Sequence, residues 1–183
     1  MTHVSLLKSL PNLITVGRLI LVPMAVAMIA AHAWAYAFAV FVIAGVSDGI
    51  DGFIAKRFNL RTELGAYLDP LADKALLVSI YVALSVEGVL PGAVTILVVS
   101  RDLMIVGAVV ISWVLDRPVE IRPLLVSKLN TVAQITLAIL VLATKAFELG
   151  LDGWIAAMIA VVVTLTLASM AAYLTQWLTH MSG

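Results

Sequence analysis

The sequence predicts an all-α, polytopic membrane protein: six transmembrane helices preceded by a short N-terminal interfacial segment, with residues 1–183 forming a single domain. Three observations predict it. Hydrophobic residues make up 63% of the 183 and charged residues only 12%, with a mean hydropathy of +1.13, against roughly 45–50% apolar and 25% charged in soluble domains. The charges are clustered, so short polar segments alternate with long uncharged runs. The runs have the length that a bilayer core about 30 Å thick demands of a helix rising about 1.5 Å per residue. The same composition excludes disorder. Eleven basic residues balance eleven acidic ones, which leaves no net field to favour nucleic acid. Cysteine is absent, which excludes disulfides, thiol chemistry and zinc–thiolate sites.

The elements follow in order. Residues 1–10 are weakly amphipathic and read as the interfacial lead-in; no small-residue cleavage site follows, so no removable targeting segment is expected. Between Arg18 and Asp48 the only ionisable residue is His32. A single helix over 12–58 would be roughly twice the bilayer thickness, so the chain must turn back. The turn is expected at 31–36, where Trp34 and Tyr36 suit the interface. This gives spans over 12–31 and 34–58. Thr62 reads as an N-cap and Glu63 as a first-turn acid for a third span over 63–86, ended by Glu87-Gly88. Pro91 suits the first turn of a fourth span reaching Leu115. A polar loop over 116–123 leads to a fifth span over 125–146, and Asp152 caps a sixth over 153–178. Lys8, then Lys56, Arg57 and Arg61, then Arg117, Arg122 and Lys128 all fall on one side, which places both termini in the cytoplasm.

Ionisable residues inside spans are costly and mark cavities or partners. Here they are Asp48 and Asp51 in the second span, Asp69, Asp73 and Lys74 in the third, and Arg101 and Asp102 in the fourth. At about 100° per residue, Asp48, Asp51, Gly52 and Ala55 share one helix face, and Gly65, Asp69 and Asp73 share another. The second and third spans are expected to be antiparallel neighbours, so four carboxylates converge at one depth. They cannot all ionise in a low dielectric without cations, and hard oxygen donors select Mg²⁺ or Mn²⁺. The plainer reading is aspartates that cap helices or pair with loop cations. Gly52 serves close ligand approach or helix packing, and Gly45 suits packing better. Arg101 and Lys128 are candidate cations for an anionic substrate, with an intramembrane ion pair as the alternative for Arg101. Asp102, about 100° away on the helix, is not expected to face it. His3, His32 and His180 receive no role, and Trp113, Trp154 and Trp177 read as belt residues.

The stretch Asp48-Gly49-Ile50-Asp51-Gly52-Phe53-Ile54-Ala55-Lys56, followed after eight residues by Gly65, then Asp69 and Asp73, resembles the signature of the CDP-alcohol phosphatidyltransferases. Lys56 stands where that family usually has arginine, and Arg57 follows it. Lysine lacks the planar fork that grips phosphate, so either Lys56 or Arg57 takes the pyrophosphate contact. Pro11-Asn12-Leu13-Ile14-Thr15-Val16-Gly17-Arg18 is similar to the family's first-helix opening, although Asn12 read alone is a plain N-cap.

The resemblance implies a six-helix bundle in a homodimer. It implies two divalent cations on Asp48, Asp51, Asp69 and Asp73, with Asp73 as general base. It also implies a CDP-diacylglycerol site built from Asn12, Thr15, Arg18, Gly52, Ala55, Lys56 and Gly65. Ser100-Arg101-Asp102, Ser127-Lys128-Leu129-Asn130-Thr131 with Gln134, and Leu68-Asp69-Pro70-Leu71-Ala72-Asp73-Lys74 look like the cardiolipin synthase branch. That branch implies transfer of a phosphatidyl group from CDP-diacylglycerol to phosphatidylglycerol, giving cardiolipin and CMP, with Arg101 and Lys128 binding the acceptor. The alternative is a phosphatidylglycerophosphate synthase using glycerol 3-phosphate. A cation-coupled transporter and a non-catalytic membrane scaffold are the readings from other classes. A bacterial inner membrane is preferred to a mitochondrial one.

Overall fold

The computed structural model describes the backbone of residues 2–57, 63–114 and 124–182, and the side chains of 15–50, 72–108, 110–112, 114 and 124–181. Among these residues there are six helices and no strand: α1 (Thr2–Ala30), α2 (Trp34–Arg57), α3 (Glu63–Val86), α4 (Gly92–Val114), α5 (Leu125–Phe147) and α6 (Asp152–Ser182). The expected ends agree closely except at the two termini. The lead-in is not a separate element, because α1 starts at Thr2 and runs on through Pro11, whose ring removes one intrahelical hydrogen bond. Asn12 therefore lies inside a helix and is no N-cap. The sixth helix continues to Ser182. The expected Thr62 cap and the 116–123 loop lie outside the described residues.

Three turns close one end of the bundle. His32 takes the left-handed conformation at φ 55°, its N–H donating to Ile29 O at 2.9 Å and that of Ala33 to Met28 O at 2.8 Å. Such a residue satisfies the last carbonyls of a helix. Gly88 at φ 68° does the same after α3, with Val89 N–H on Leu84 O at 2.8 Å. Glu148 and Gly150, at φ 52° and 62°, turn α5 into α6. His32 and Glu87 face each other across two of these turns at 3.6 Å.

Packing follows stripes that recur every three or four residues. Ala25 and Ile29 of α1, Ala37, Phe41 and Ala44 of α2, Ile80 and Leu84 of α3, Leu137 and Val141 of α5 and Val162 of α6 form one buried core. Toward the opposite end each stripe turns polar without changing face: Thr15 and Arg18 on α1, Asp48 on α2, Asp73 on α3, Arg101 on α4, Asn130 and Gln134 on α5, Thr166 and Ser169 on α6. Apolar burial thus fixes the azimuth of every polar side chain one or two turns further along.

α1 packs against α2 and α3, α5 against α2, α3 and α6, and α4 against α3 and α6. Among the described residues α2 and α3 do not pack on each other, contrary to the expected pairing. α1 touches both of them and supplies the cation that their acids share. Gly92–Ser112, Leu125–Phe147 and Asp152–Met181 are long and apolar enough to cross a membrane, and Thr15–Ala30 and Trp34–Ile50 are shorter apolar stretches.

Candidate active site

All six helices line a cavity of about 610 Å³ at the polar end of the stripes. One wall carries acids. Arg18 Nη1 of α1 meets Asp48 Oδ1 of α2 at 2.7 Å and donates also to Asp73 Oδ1 of α3. The Arg18 residue is 1% exposed, whereas the two carboxylate side chains are 42% and 49% exposed. The guanidinium thus holds the acids from behind while both remain open to the cavity. Among the described residues this wall sets two carboxylates against one guanidinium, and hard, half-exposed oxygen donors are the set that suits Mg²⁺ or Mn²⁺. Among the described residues no group of three or more His, Cys, Asp or Glu is close enough to hold an ion; the carboxylates of Asp51 and Asp69 lie outside them.

The facing wall is cationic and tightly tied. Arg101 of α4, 4% exposed, donates through Nη1 to Asp102 Oδ1 at 2.6 Å, and through Nε and Nη2 to Ser169 Oγ at 3.2 and 3.0 Å. Nη2 also donates to Ser127 Oγ on α5. The guanidinium carbon lies 5.6 Å from the centre of the Tyr173 ring, within cation–π range. Asp102 in turn meets Lys74 Nζ of α3 at 2.8 Å. Arg101 and Asp102 are therefore partners. The angle between their Cα–Cβ bonds is large, but a long guanidinium curls back over its own helix further than that angle allows for.

Behind the cavity, Tyr81 of α3 donates its hydroxyl to the Gln134 backbone carbonyl of α5 at 3.0 Å, and Thr95 of α4 donates to the Tyr81 carbonyl at 3.2 Å. Thr166 of α6 donates to Asn130 Oδ1 at 2.9 Å. These bonds cross helix pairs inside the apolar region, where an unpaired polar group is costly, so they fix the spacing of the walls.

A CDP-alcohol phosphatidyltransferase family model matches residues 8–176. The chain belongs to the CDP-alcohol phosphatidyltransferase family. Its relatives include a Homo sapiens protein named cardiolipin synthase (CMP-forming), 33% identical over 156 residues that cover 76% of this chain and 52% of that one. A chloroplastic CDP-diacylglycerol–glycerol-3-phosphate 3-phosphatidyltransferase 1 of Oryza sativa subsp. japonica is 35% identical over 147 residues, 70% of this chain and 44% of that one. A probable phosphatidylglycerophosphate synthase of Mycobacterium tuberculosis is 37% identical over 103 residues, 53% and 49% of the two chains. The chain spans about half the length of these curated relatives.

Of the residues in the phosphatidyltransferase motif, Asp48 and Asp73 come together on the acidic wall. Asp51, Gly52, Ala55 and Lys56 continue α2, and Gly65 and Asp69 lie in the first turns of α3, but their side chains and surroundings lie outside the described residues, as do those of Asn12. Thr15 is buried one turn before Arg18. Gly45 lines the cavity, and a Cβ there meets nothing within 4 Å among the described residues, so close packing does not account for it. Arg101 stands on the facing wall, whereas Lys128 is exposed and does not line the cavity. Ser169 and Tyr173 went unassigned in the sequence; their signal is their place on the Val162–Thr166 stripe of a helix that is otherwise apolar along it.

Proposed function

We propose that the protein transfers a phosphatidyl group from CDP-diacylglycerol to phosphatidylglycerol, forming cardiolipin and releasing CMP. The observation that carries this reading is the cavity itself, with a paired-acid wall facing a buried arginine held in place by Asp102, Ser127 and Ser169. The acids suit the metal-bound pyrophosphate of the donor, and the cation suits an anionic acceptor. In this reading six helices span the bilayer with both termini in the cytoplasm, and the protein works as a homodimer in a bacterial inner membrane.

Asp48, Asp51, Asp69 and Asp73 would hold two divalent cations, Mg²⁺ or Mn²⁺, which supply charge neutralisation at the pyrophosphate when bound. The residues do the rest by positioning, which dominates phosphoryl chemistry. Asn12, Thr15, Arg18, Gly52, Ala55, Gly65 and Lys56 (or Arg57 in its place) orient the donor. The acceptor hydroxyl oxygen forms a bond to the phosphorus that bears diacylglycerol, and the bond from that phosphorus to the CMP oxygen breaks. The electron pair leaves with CMP, and the hydroxyl proton passes to the Asp73 carboxylate. Arg101 holds the acceptor phosphate from the opposite wall, and Lys128 lies outside the cavity, where it meets anionic headgroups.

The second reading, glycerol 3-phosphate as acceptor, is favoured by the rice and mycobacterial relatives named for that chemistry. Purified protein given CDP-diacylglycerol, Mg²⁺ and each acceptor separates the two by product. Cardiolipin supports the first reading. Phosphatidylglycerophosphate alone overturns it in favour of the second, and the absence of CMP with both acceptors refutes both.

A further inference from the structure

One buried polar group in the cavity is left over by everything above. Gln134 is 2% exposed, lines the cavity, and its side-chain Nε2 has no hydrogen-bond partner among the described residues. The Tyr81 hydroxyl donates to its backbone carbonyl, which ties this stretch of α5 to α3. Buried amides are almost always paired, and leaving one unpaired costs about 1–3 kcal/mol. Asn130 is the useful contrast. It is equally buried and has an unpaired Nδ2, but its Oδ1 is taken by Thr166 and it lies between α5 and α6, off the cavity lining. Of these two α5 amides, that of Gln134 is the one in the cavity lining.

The neighbours of Gln134 define that substrate's chemistry. Ser127, Thr131 and Gln134 stand at i, i+4 and i+7 on one face of α5, and all three line the cavity. Ser127 holds the Arg101 guanidinium. The face therefore runs from an anion site to a neutral amide about two turns away, roughly 10 Å along the helix axis. A ligand matching this face carries an anionic group at the Arg101 end and an uncharged hydroxyl-bearing group at the Gln134 end, the long Arg101 and Gln134 side chains, both in the cavity lining, making up the distance between them. A hydroxyl both donates and accepts, so it satisfies either end of an amide.

We infer that Gln134 is a specificity-determining residue that hydrogen-bonds the secondary hydroxyl of the acceptor's glycerol, the hydroxyl that does not attack. The inference rests on the glycerophosphate-acceptor reading above, and it holds for either acceptor because both carry that hydroxyl. A site built to hydrogen-bond a hydroxyl rejects the analogue that lacks it.

The test uses the full-length protein in detergent–lipid micelles with CDP-diacylglycerol and Mg²⁺. Phosphatidylglycerol is compared with phosphatidyl-1,3-propanediol, which keeps the attacking terminal hydroxyl and lacks only the secondary one; glycerol 3-phosphate and 3-hydroxypropyl phosphate form the parallel pair. The wild-type protein should favour the glycerol member of a pair by about 10- to 100-fold in kcat/KM. In Gln134→Met, close in size but without the amide, that ratio should fall toward one while KM for CDP-diacylglycerol stays unchanged. Gln134→Asn, which keeps the amide on a shorter side chain, should retain part of the preference. Equal use of both members by the wild-type protein overturns the inference without any variant. A Gln134→Met protein that slows equally on both members, with its ratio intact, overturns it as well and marks a structural role. CMP release with neither pair refutes the function proposed above, an outcome distinct from active but undiscriminating enzyme.

Discussion

Replacing Asp73 with asparagine separates catalysis from architecture, because the structure makes the two costs very unequal. Asp73 shares Arg18 with Asp48, and the Asp48 contact at 2.7 Å survives the change. The asparagine keeps a side-chain oxygen that can accept from Arg18, so the guanidinium is not left buried and unpaired. That situation would cost about 3–5 kcal/mol, whereas loss of charge from a side chain that is 49% exposed falls in the range of a screened pair, about 0–1 kcal/mol. Loss of a general base lowers the rate by about 10²–10⁴-fold, which at about 1.36 kcal/mol per decade is roughly 2.7–5.4 kcal/mol of activation free energy. Asp73→Asn should therefore fall by two to four decades in CMP release, by more if metal affinity also drops. It should still bind CDP-diacylglycerol and unfold in detergent at nearly the wild-type temperature. The assay is CMP formation under saturating donor, paired with donor binding and thermal unfolding on the same preparation. Near-normal turnover would refute the base assignment. A large loss of thermal stability would show that the Arg18 contact is structural, and that the rate loss says nothing about proton transfer.

Three further outcomes follow from the same geometry. Arg101→Ala should raise the acceptor KM strongly and leave the donor KM in place, whereas Lys128→Ala, at an exposed site off the cavity wall, should change acceptor KM far less; a reversed order would move the acceptor site. Chelation should abolish turnover reversibly, and Asp48→Asn, Asp51→Asn and Asp69→Asn should each shift the Mg²⁺ dependence to higher concentration, as measured by metal titration of CMP release; activity that survives chelation would refute the metal reading. Reporter fusions at His32 and Gly88 should both land outside the cytoplasm, and a cytoplasmic signal at either would refute six spans with cytoplasmic termini.

The helix ends were legible because polar and turn-forming residues interrupt the apolar runs where the chain reverses: Ala31-His32-Ala33, Glu87-Gly88 and Glu148 to Gly150 all turn where such residues occur. The start of α1 was not legible, since weak amphipathicity distinguishes poorly between an interfacial segment and the first turns of a long helix. Nor was the spatial order of the first three helices. Periodicity gives each helix a buried face but does not say which neighbour that face meets. A short connection between α2 and α3 made direct pairing the natural expectation, yet among the described residues α1 packs against both and they do not pack on each other. The physical reason is Arg18: a buried guanidinium on α1 needs carboxylates, and it meets one from each side.

The two walls of the cavity differ in how far sequence could reach them for a related reason. The acids announce themselves, because a carboxylate in an apolar span has no cheap structural use, and spacing then sorts Asp48 and Asp73 onto inward faces. The Arg101 wall depends on uncharged partners. Ser127, Ser169 and Tyr173 are ordinary residues of apolar helices, and nothing in their own runs says that α5 and α6 bring them to one guanidinium on α4. The angle between adjacent side chains points Asp102 away from Arg101, a rule that holds for Cβ directions but not for an arginine long enough to fold back on its own turn. The general lesson for buried sites in apolar helices is that charge reveals the anchor and periodicity its face, while the hydroxyls and amides around it become visible only once the helices are assembled. The Arg101 wall is therefore where product analysis and the Gln134 variants carry the most information, since its arginine was legible in the sequence and the chemistry around it was not.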